Sequence, residues 1–211
     1  HKELPRKIAL LVDELPITSA PKIVGEEAYH LRKLGVVCDV YVLKHRVGEF
    51  PPAHAEQVKP VHVDRNLGLL GKVCGWRVPT FAFFSLYHLI YPYFLPQVIN
   101  KRLSQYDAVV THFASTAIFA SRLHLRSANT KLIFYCHDPI SYFFNEAPAG
   151  SWSTIKRRLL SSTSVVLDKR LLSKPDAIIL QSKFHLERIR KLGVTKPCLL
   201  YTSPSPRDRQ K

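Results

Sequence analysis

The chain has 211 residues, 46% of them hydrophobic and 22% charged, enough to bury a good core as one large domain or two small ones, and nothing in this composition points to disorder. Lys and Arg outnumber Asp and Glu by 31 to 16, a formal net charge of +15 that favours polyanionic surroundings: nucleic acid, an anionic membrane surface or phosphorylated substrates. Cys38, Cys74 and Cys136 read as buried free thiols of a reducing compartment, and no CxxC pair or Cys/His spacing suggests zinc.

Arg6-Lys7 leads into the aliphatic run Ile8 to Val12, closed by Asp13-Glu14, which reads as a first, fully buried strand. A loop over Leu15 to Pro21 comes next. From Lys22 onward Ile23, Val24, Ala28, Leu31 and Leu34 recur at helical spacing, and Gly35 stands where a helix would stop. Val36 to Leu43 reads as a second strand, and Val58 to Val63 as a third that ends near Asp64. The segment from Val78 to Asn100 carries no charged residue and is rich in aromatics. It is long enough to span a bilayer, but Pro79, Pro92, Pro96, His88 and the Tyr hydroxyls argue against a clean span; a helix buried against the sheet or one lying at a membrane interface fits the same pattern.

Asp107 to Thr111 is the next strand, ending on His112; Ser115 to Leu125 reads as a helix, and Lys131 to Cys136 as a strand ending on His137-Asp138. Pro139 to Gly150 reads as a loop. Trp152 to Leu172 is a long basic amphipathic helix with Ile155, Leu159, Val166 and Leu172 among its apolar positions. Ala177 to Leu180 is a strand ending on Gln181-Ser182, and Phe184 to Leu192 a helix closed by Gly193. Strands that alternate with helices, and that are apolar throughout, imply a parallel sheet, because parallel neighbours need long crossovers and are covered on both sides. The expected fold is therefore α/β, a Rossmann-like parallel sheet with helices on both faces.

The chain opens on His1 and has no Met, and the alternation is still running near Val194, so a piece of a longer protein is expected. Cys198 to Asp208 resembles, residue for residue, a translation of the transposase adapter used to prepare sequencing libraries. Residues 198–211 are then a non-native tail, disordered or arbitrarily placed, and residues 1–197 the natural domain. A genuine Ser/Pro-rich linker is the alternative. Arg207, Arg209 and Lys211 stand against Asp208 in this tail, so the strongly basic balance does not depend on it.

In parallel α/β sheets the carboxyl ends of the strands line the ligand crevice, so Asp13, Glu14, His112, His137, Asp138 and Ser182 are the first candidates for function. The first strand-to-helix turn, Glu14 to Lys22, has no glycine, which disfavours a nicotinamide or flavin enzyme of the usual kind. There is no Walker motif and no GxSxG elbow. The His137 imidazole can serve as a proton shuttle or as a hydrogen-bond partner to a sugar or phosphate oxygen, with Asp138 orienting it or capping the next loop. A strand-end His is also a common structural residue. Ser182 precedes a helix and reads first as its N-cap; that helix end also favours anions. Lys183 and Arg188 suit either a phosphate or a solvated helix face.

Taken together, Lys7-Ile8-Ala9-Leu10-Leu11, the helix Glu26 to Gly35, Tyr106 to His112, Lys131 to Asp138 and Lys174 to Phe184 resemble, in order and spacing, the N-terminal domain of family 4 glycosyltransferases with the GT-B fold. The resemblance implies retaining transfer of a sugar from a nucleotide sugar to a glycan or lipid-linked acceptor, in a cleft between two Rossmann-like domains, with no metal or other cofactor required. The resemblance also implies that the donor is held mainly by a C-terminal domain with a Glu-rich motif, expected to lie outside these 211 residues. The chain would then be the acceptor side and inactive by itself. By the same resemblance His137 matches a strand-end His that faces the transferred sugar, with Asp138 beside it as the second catalytic candidate. Asp13, Glu14, Ser19, Ala20, Lys22, His112 and Ser182 become substrate-binding candidates. Ser19-Ala20 departs from the family's usual Gly-Gly, and neither residue visits positive φ as easily as glycine. The basic helix and the aromatic segment add an anionic membrane as a partner, at the cytoplasmic face; nucleic acid is not expected on this reading. The alternative from another class is a non-enzymatic basic α/β module that binds nucleic acid or anionic membrane through its charge.

Overall fold

The computed structural model describes residues 5–12, 19–43, 61–62, 99–112, 116–117, 120–121, 129–137, 139–141 and 154–200. The chain divides into two compact units, residues 1–132 and 133–211.

In the first unit the aliphatic run forms β1 (Lys7–Val12), with Ala9, Leu10 and Leu11 wholly enclosed, as a strand covered on both faces requires. It pairs in parallel with β2 (Val37–Val42) on one side and β4 (Ala108–His112) on the other, and β2 pairs in parallel with β3 (Val61–His62). The order β3-β2-β1-β4 means that the chain steps outward from β1 and then returns to its other side. α1 (Ser19–Lys33) makes the connection from β1 to β2, the crossover that a parallel pair requires. This is the doubly wound, Rossmann-like arrangement expected from the alternation, and its strand order reverses between β1 and β4, where such sheets bind ligands. One exposed carboxylate aligns the strand starts. Asp107 Oδ2 accepts from the Arg6 and Lys7 amides at 2.8 and 2.9 Å, and the Asp107 carbonyl accepts from the Lys131 amide.

α1 starts at Ser19 rather than Lys22, so Ser19 and Ala20, expected in a loop, lie in its first turn. Pro21 does not prevent this, because the first amides of a helix have no intrahelical acceptor to lose. At the other end Gly35, at φ +80°, donates to the Arg32 carbonyl at 2.9 Å while Val36 donates to Leu31 at 3.1 Å, the paired bonds of a Schellman stop. Leu34, counted with the apolar stripe, sits past the helix end and is 79% exposed. A Cβ at position 35 would meet nothing within 4 Å, so Gly35→Ala tests backbone conformation alone. It is expected to cost about 1–2 kcal/mol in chemical denaturation.

In the second unit the Ile133–Cys136 part of β5 (Lys131–Cys136) pairs in parallel with β6 (Ala177–Leu180), and β6 with β7 (Cys198–Leu200). α2 (Thr154–Leu172) and α3 (Lys183–Lys191) complete it. Three expectations change here. Cys198–Leu200, expected to open a tail that is disordered or arbitrarily placed, forms the edge strand: backbone pairing demands no particular side chains, and Leu199 is 58% exposed. Val166 faces outward, because the buried stripe of α2 runs through Ser164, Asp168, Leu171 and Leu172. Ile140 and Ser141, expected in a loop, are helical.

Cys38 and Cys136 are buried free thiols, and burial, reinforced by the Glu27 charge, pushes the Cys38 thiol up to about 12. Among the described residues no helix is long and apolar enough to cross a membrane. The aromatic segment up to residue 98, Cys74 and residues 201–211 lie outside the described residues.

Candidate functional site

Parallel register builds the centre of the second unit's carboxyl edge. Cys136 lies opposite Leu180, so one step further along both strands places His137 beside Gln181. The Gln181 Nε2 is 2.9 Å from His137 Nδ1. Two residues back on the same face of β5, the Tyr135 ring stacks on the imidazole with centroids 4.6 Å apart and planes inclined by 27°. His137 is therefore held at its edge and on its face while remaining half-buried. Ser182, the next residue after Gln181, caps α3 as expected: its Oγ accepts from the His185 amide at 3.2 Å.

A carboxylate that sequence reasoning missed anchors the backbone just beyond His137. After Pro139 the amides of Ile140 and Ser141 donate to Asp168 Oδ1 and Oδ2 at 2.9 and 2.8 Å. Asp168 thus caps from α2 the helical start at Ile140, and it is only 3% exposed. Burial raises its pKa above the usual carboxylate range, while hydrogen bonds from Ser141 and Ile140 pull the other way without cancelling the rise. The available signal was its isolation: Asp168 is the one acid in an otherwise basic helix, on the same stripe as Leu171 and Leu172.

His112 ends β4, beside β1 at the point of strand-order reversal. It was expected to meet substrate. Its side chain is fully buried instead, with Nε2 3.2 Å from Glu27 Oε2 of α1 at ion-pair distance but without hydrogen-bond alignment, while its carbonyl accepts from the Thr116 hydroxyl. The packing of α1 over the sheet covers the imidazole, while Glu27, the other member of the pair, is half-buried. Glu27 belongs to the helix motif singled out above, but nothing in the sequence assigned it a role.

Of the remaining candidates, Asp13, Glu14 and Asp138 lie outside the described residues, and Ser19, Ala20 and Lys22 are placed on the first turns of α1. His112 belongs to the first unit, and His137 and Ser182 to the second. Among the described residues no group of three or more His, Cys, Asp or Glu is placed to hold a metal ion.

The model of Glycosyltransferase Family 4 matches residues 22–201, most of the chain and parts of both units. The chain belongs to glycosyltransferase family 4. Its fold agrees: sucrose-phosphate synthase (tll1590) from Thermosynechococcus elongatus superposes with a TM-score of 0.63 at 15% identity over 95% of this family 4 chain. A second structure of that synthase, a shorter chain, gives a TM-score of 0.55 at 15% identity, covering 97% of this chain and 93% of that one. The family 4 chain spans about half, 48%, of the longer synthase chain. No curated protein matches it in sequence.

Proposed function

We propose that this chain is the N-terminal, acceptor-side domain of a GT-B glycosyltransferase that moves a sugar from a nucleotide sugar to a glycan or lipid-linked acceptor with retention of configuration, and that it does not turn over without a donor-binding domain. The observation that carries the reading is the strand-end imidazole, fixed by Gln181 and Tyr135 at the carboxyl edge of a parallel sheet in a family 4 chain. In this reading His137 donates a hydrogen bond to the transferred sugar. Asp138 is the second catalytic residue, and Asp13, Glu14, Ser19, Ala20 and Lys22 take part in binding substrate. His112 takes part in substrate binding through Glu27, whose Oε2 is 3.2 Å from its Nε2. Ser182 serves mainly by ordering α3.

A peripheral position at the cytoplasmic membrane face is supported by α3, where Lys183, Phe184, Arg190 and Lys191 are exposed together and Arg188 lies over the Phe184 ring at 4.5 Å.

The test is to titrate the chain with nucleotide sugars, candidate glycan and lipid-linked acceptors, anionic vesicles and oligonucleotides while monitoring assigned amide resonances. Acceptors are expected to shift residues 137 and 181–182, with no transfer by the chain alone. Fusion to a family 4 donor-binding domain is expected to give transfer with the anomeric configuration kept. Shifts produced by oligonucleotides, with none from any acceptor, would favour the non-enzymatic basic module instead.

A further inference from the structure

We infer that Gln181 is a positioning residue that fixes His137 in the Nε2–H tautomer, so that the strand-end ring's hydrogen-bond donor is Nε2. The juxtaposition is imposed by strand register, since positions 137 and 181 come directly after the paired residues Cys136 and Leu180 on neighbouring parallel strands. The Gln181 side-chain nitrogen approaches Nδ1 to 2.9 Å. An amide nitrogen has hydrogens but no acceptor lone pair, so it can only donate. Nδ1 must then offer its lone pair, and the single proton of the neutral ring resides on Nε2.

Both partners are held. Tyr135, itself 5% exposed, stacks on the imidazole and opposes rotation of the ring away from Gln181. Gln181 lies between the last residue of β6 and Ser182, whose hydroxyl is committed to the α3 cap, so its backbone is fixed on both sides. The chemistry depends on the residue type at 181. A carboxylate there would accept rather than donate and would draw the proton to Nδ1, leaving a lone pair at Nε2. The same imidazole would then be an acceptor or a base instead of a donor. Gln181 thus sets which of two roles the ring can play.

What the donor at Nε2 would meet, a sugar oxygen, rests on the function proposed above; the tautomer does not. The experiment is therefore made on the ring itself. Two-bond proton–nitrogen correlation spectra of the ¹⁵N-labelled full chain at about pH 8, where an ordinary imidazole is neutral, report which ring nitrogen carries the proton. The His137 signals are assigned by their loss in His137→Gln. In the unaltered chain Nδ1 is expected unprotonated and Nε2 protonated. Gln181→Leu, of similar size without the amide, is expected to give a mixture of tautomers, and Gln181→Glu to move the proton predominantly to Nδ1. If Gln181→Leu fails to fold, the Gln181→Glu comparison decides. A proton on Nδ1 in the unaltered chain, or a tautomer unmoved in Gln181→Glu, overturns the inference. The expected tautomers together with no response of the ring to any nucleotide sugar or acceptor would uphold it while the proposed function failed.

Discussion

Asp168→Ala is expected to lower stability at neutral pH by about 2–4 kcal/mol, a larger loss than any other substitution proposed for this chain. Two buried backbone amides, Ile140 and Ser141, would lose their acceptor at once, and each orphaned buried donor costs on the order of 1–3 kcal/mol. Relief from desolvating the carboxylate offsets part of that sum. For a chain of this size the loss corresponds to a melting point lower by roughly 2–4 °C per kcal/mol. Asp168→Asn keeps one acceptor oxygen and should fall between the two.

The pH dependence separates the charge from the hydrogen bonds. The Asp168 pKa is raised in the folded chain by burial, so its titration contributes stability that is full below the unfolded value, about 3.9, and is lost as pH rises through the higher folded value. Asp168→Asn has no such contribution. The margin by which the unaltered chain exceeds Asp168→Asn should therefore be wider near pH 4 than at pH 7, in melting temperatures measured side by side. A margin that widened toward pH 7 would mean that the two amides outweigh burial and stabilise the anion.

The parallel sheet was legible because its strands are continuous apolar runs bounded by charge or turn residues. Ile8 to Val12 and Ala177 to Leu180 need no tertiary information to be recognised, and Gly35 and Gly193 mark helix ends because both adopt φ near +80°, which other residues resist. Features set by partners distant in sequence escaped. Asp168 acts on amides 27 and 28 residues away, and Val166 yields the inward face to it. The helix start at Ser19 was hidden by Pro21, a residue that interrupts helices only beyond their first turn. His112 was identified as a strand-end group, but its burial and its approach to Glu27 depend on how α1 packs and could not be read from β4 alone. His137 and Ser182 were legible from their places after apolar runs. The tie between His137 and Gln181 was not, because it arises from the pairing of β5 with β6 rather than from either segment.

On the proposed function, His137→Ala in a transfer-competent protein is expected to reduce kcat by about 10²–10³-fold, the range seen when a single aligned donor to developing charge is removed. Stability should change little, because the ring is half-buried and the Gln181 amide it leaves behind is also half-buried and within reach of water. The pH profile distinguishes three roles for the same side chain. A general acid must be protonated beyond its neutral form, so its activity would fall as pH rises through the titration of the ring. A general base acting at Nε2 needs the lone pair that the Gln181 hydrogen bond reserves to Nδ1. A neutral donor keeps its Nε2–H at alkaline pH, so kcat should hold level from about pH 7 to 9 in the unaltered protein. The remaining activity of His137→Ala should be lower by the same factor throughout that range. Partial recovery in His137→Gln, whose amide can donate but cannot shuttle a proton, would complete the assignment. Full loss in His137→Gln together with an alkaline fall in the parent would instead make the imidazole an acid, and the hydrogen bond from Gln181 would then have to break for each turnover.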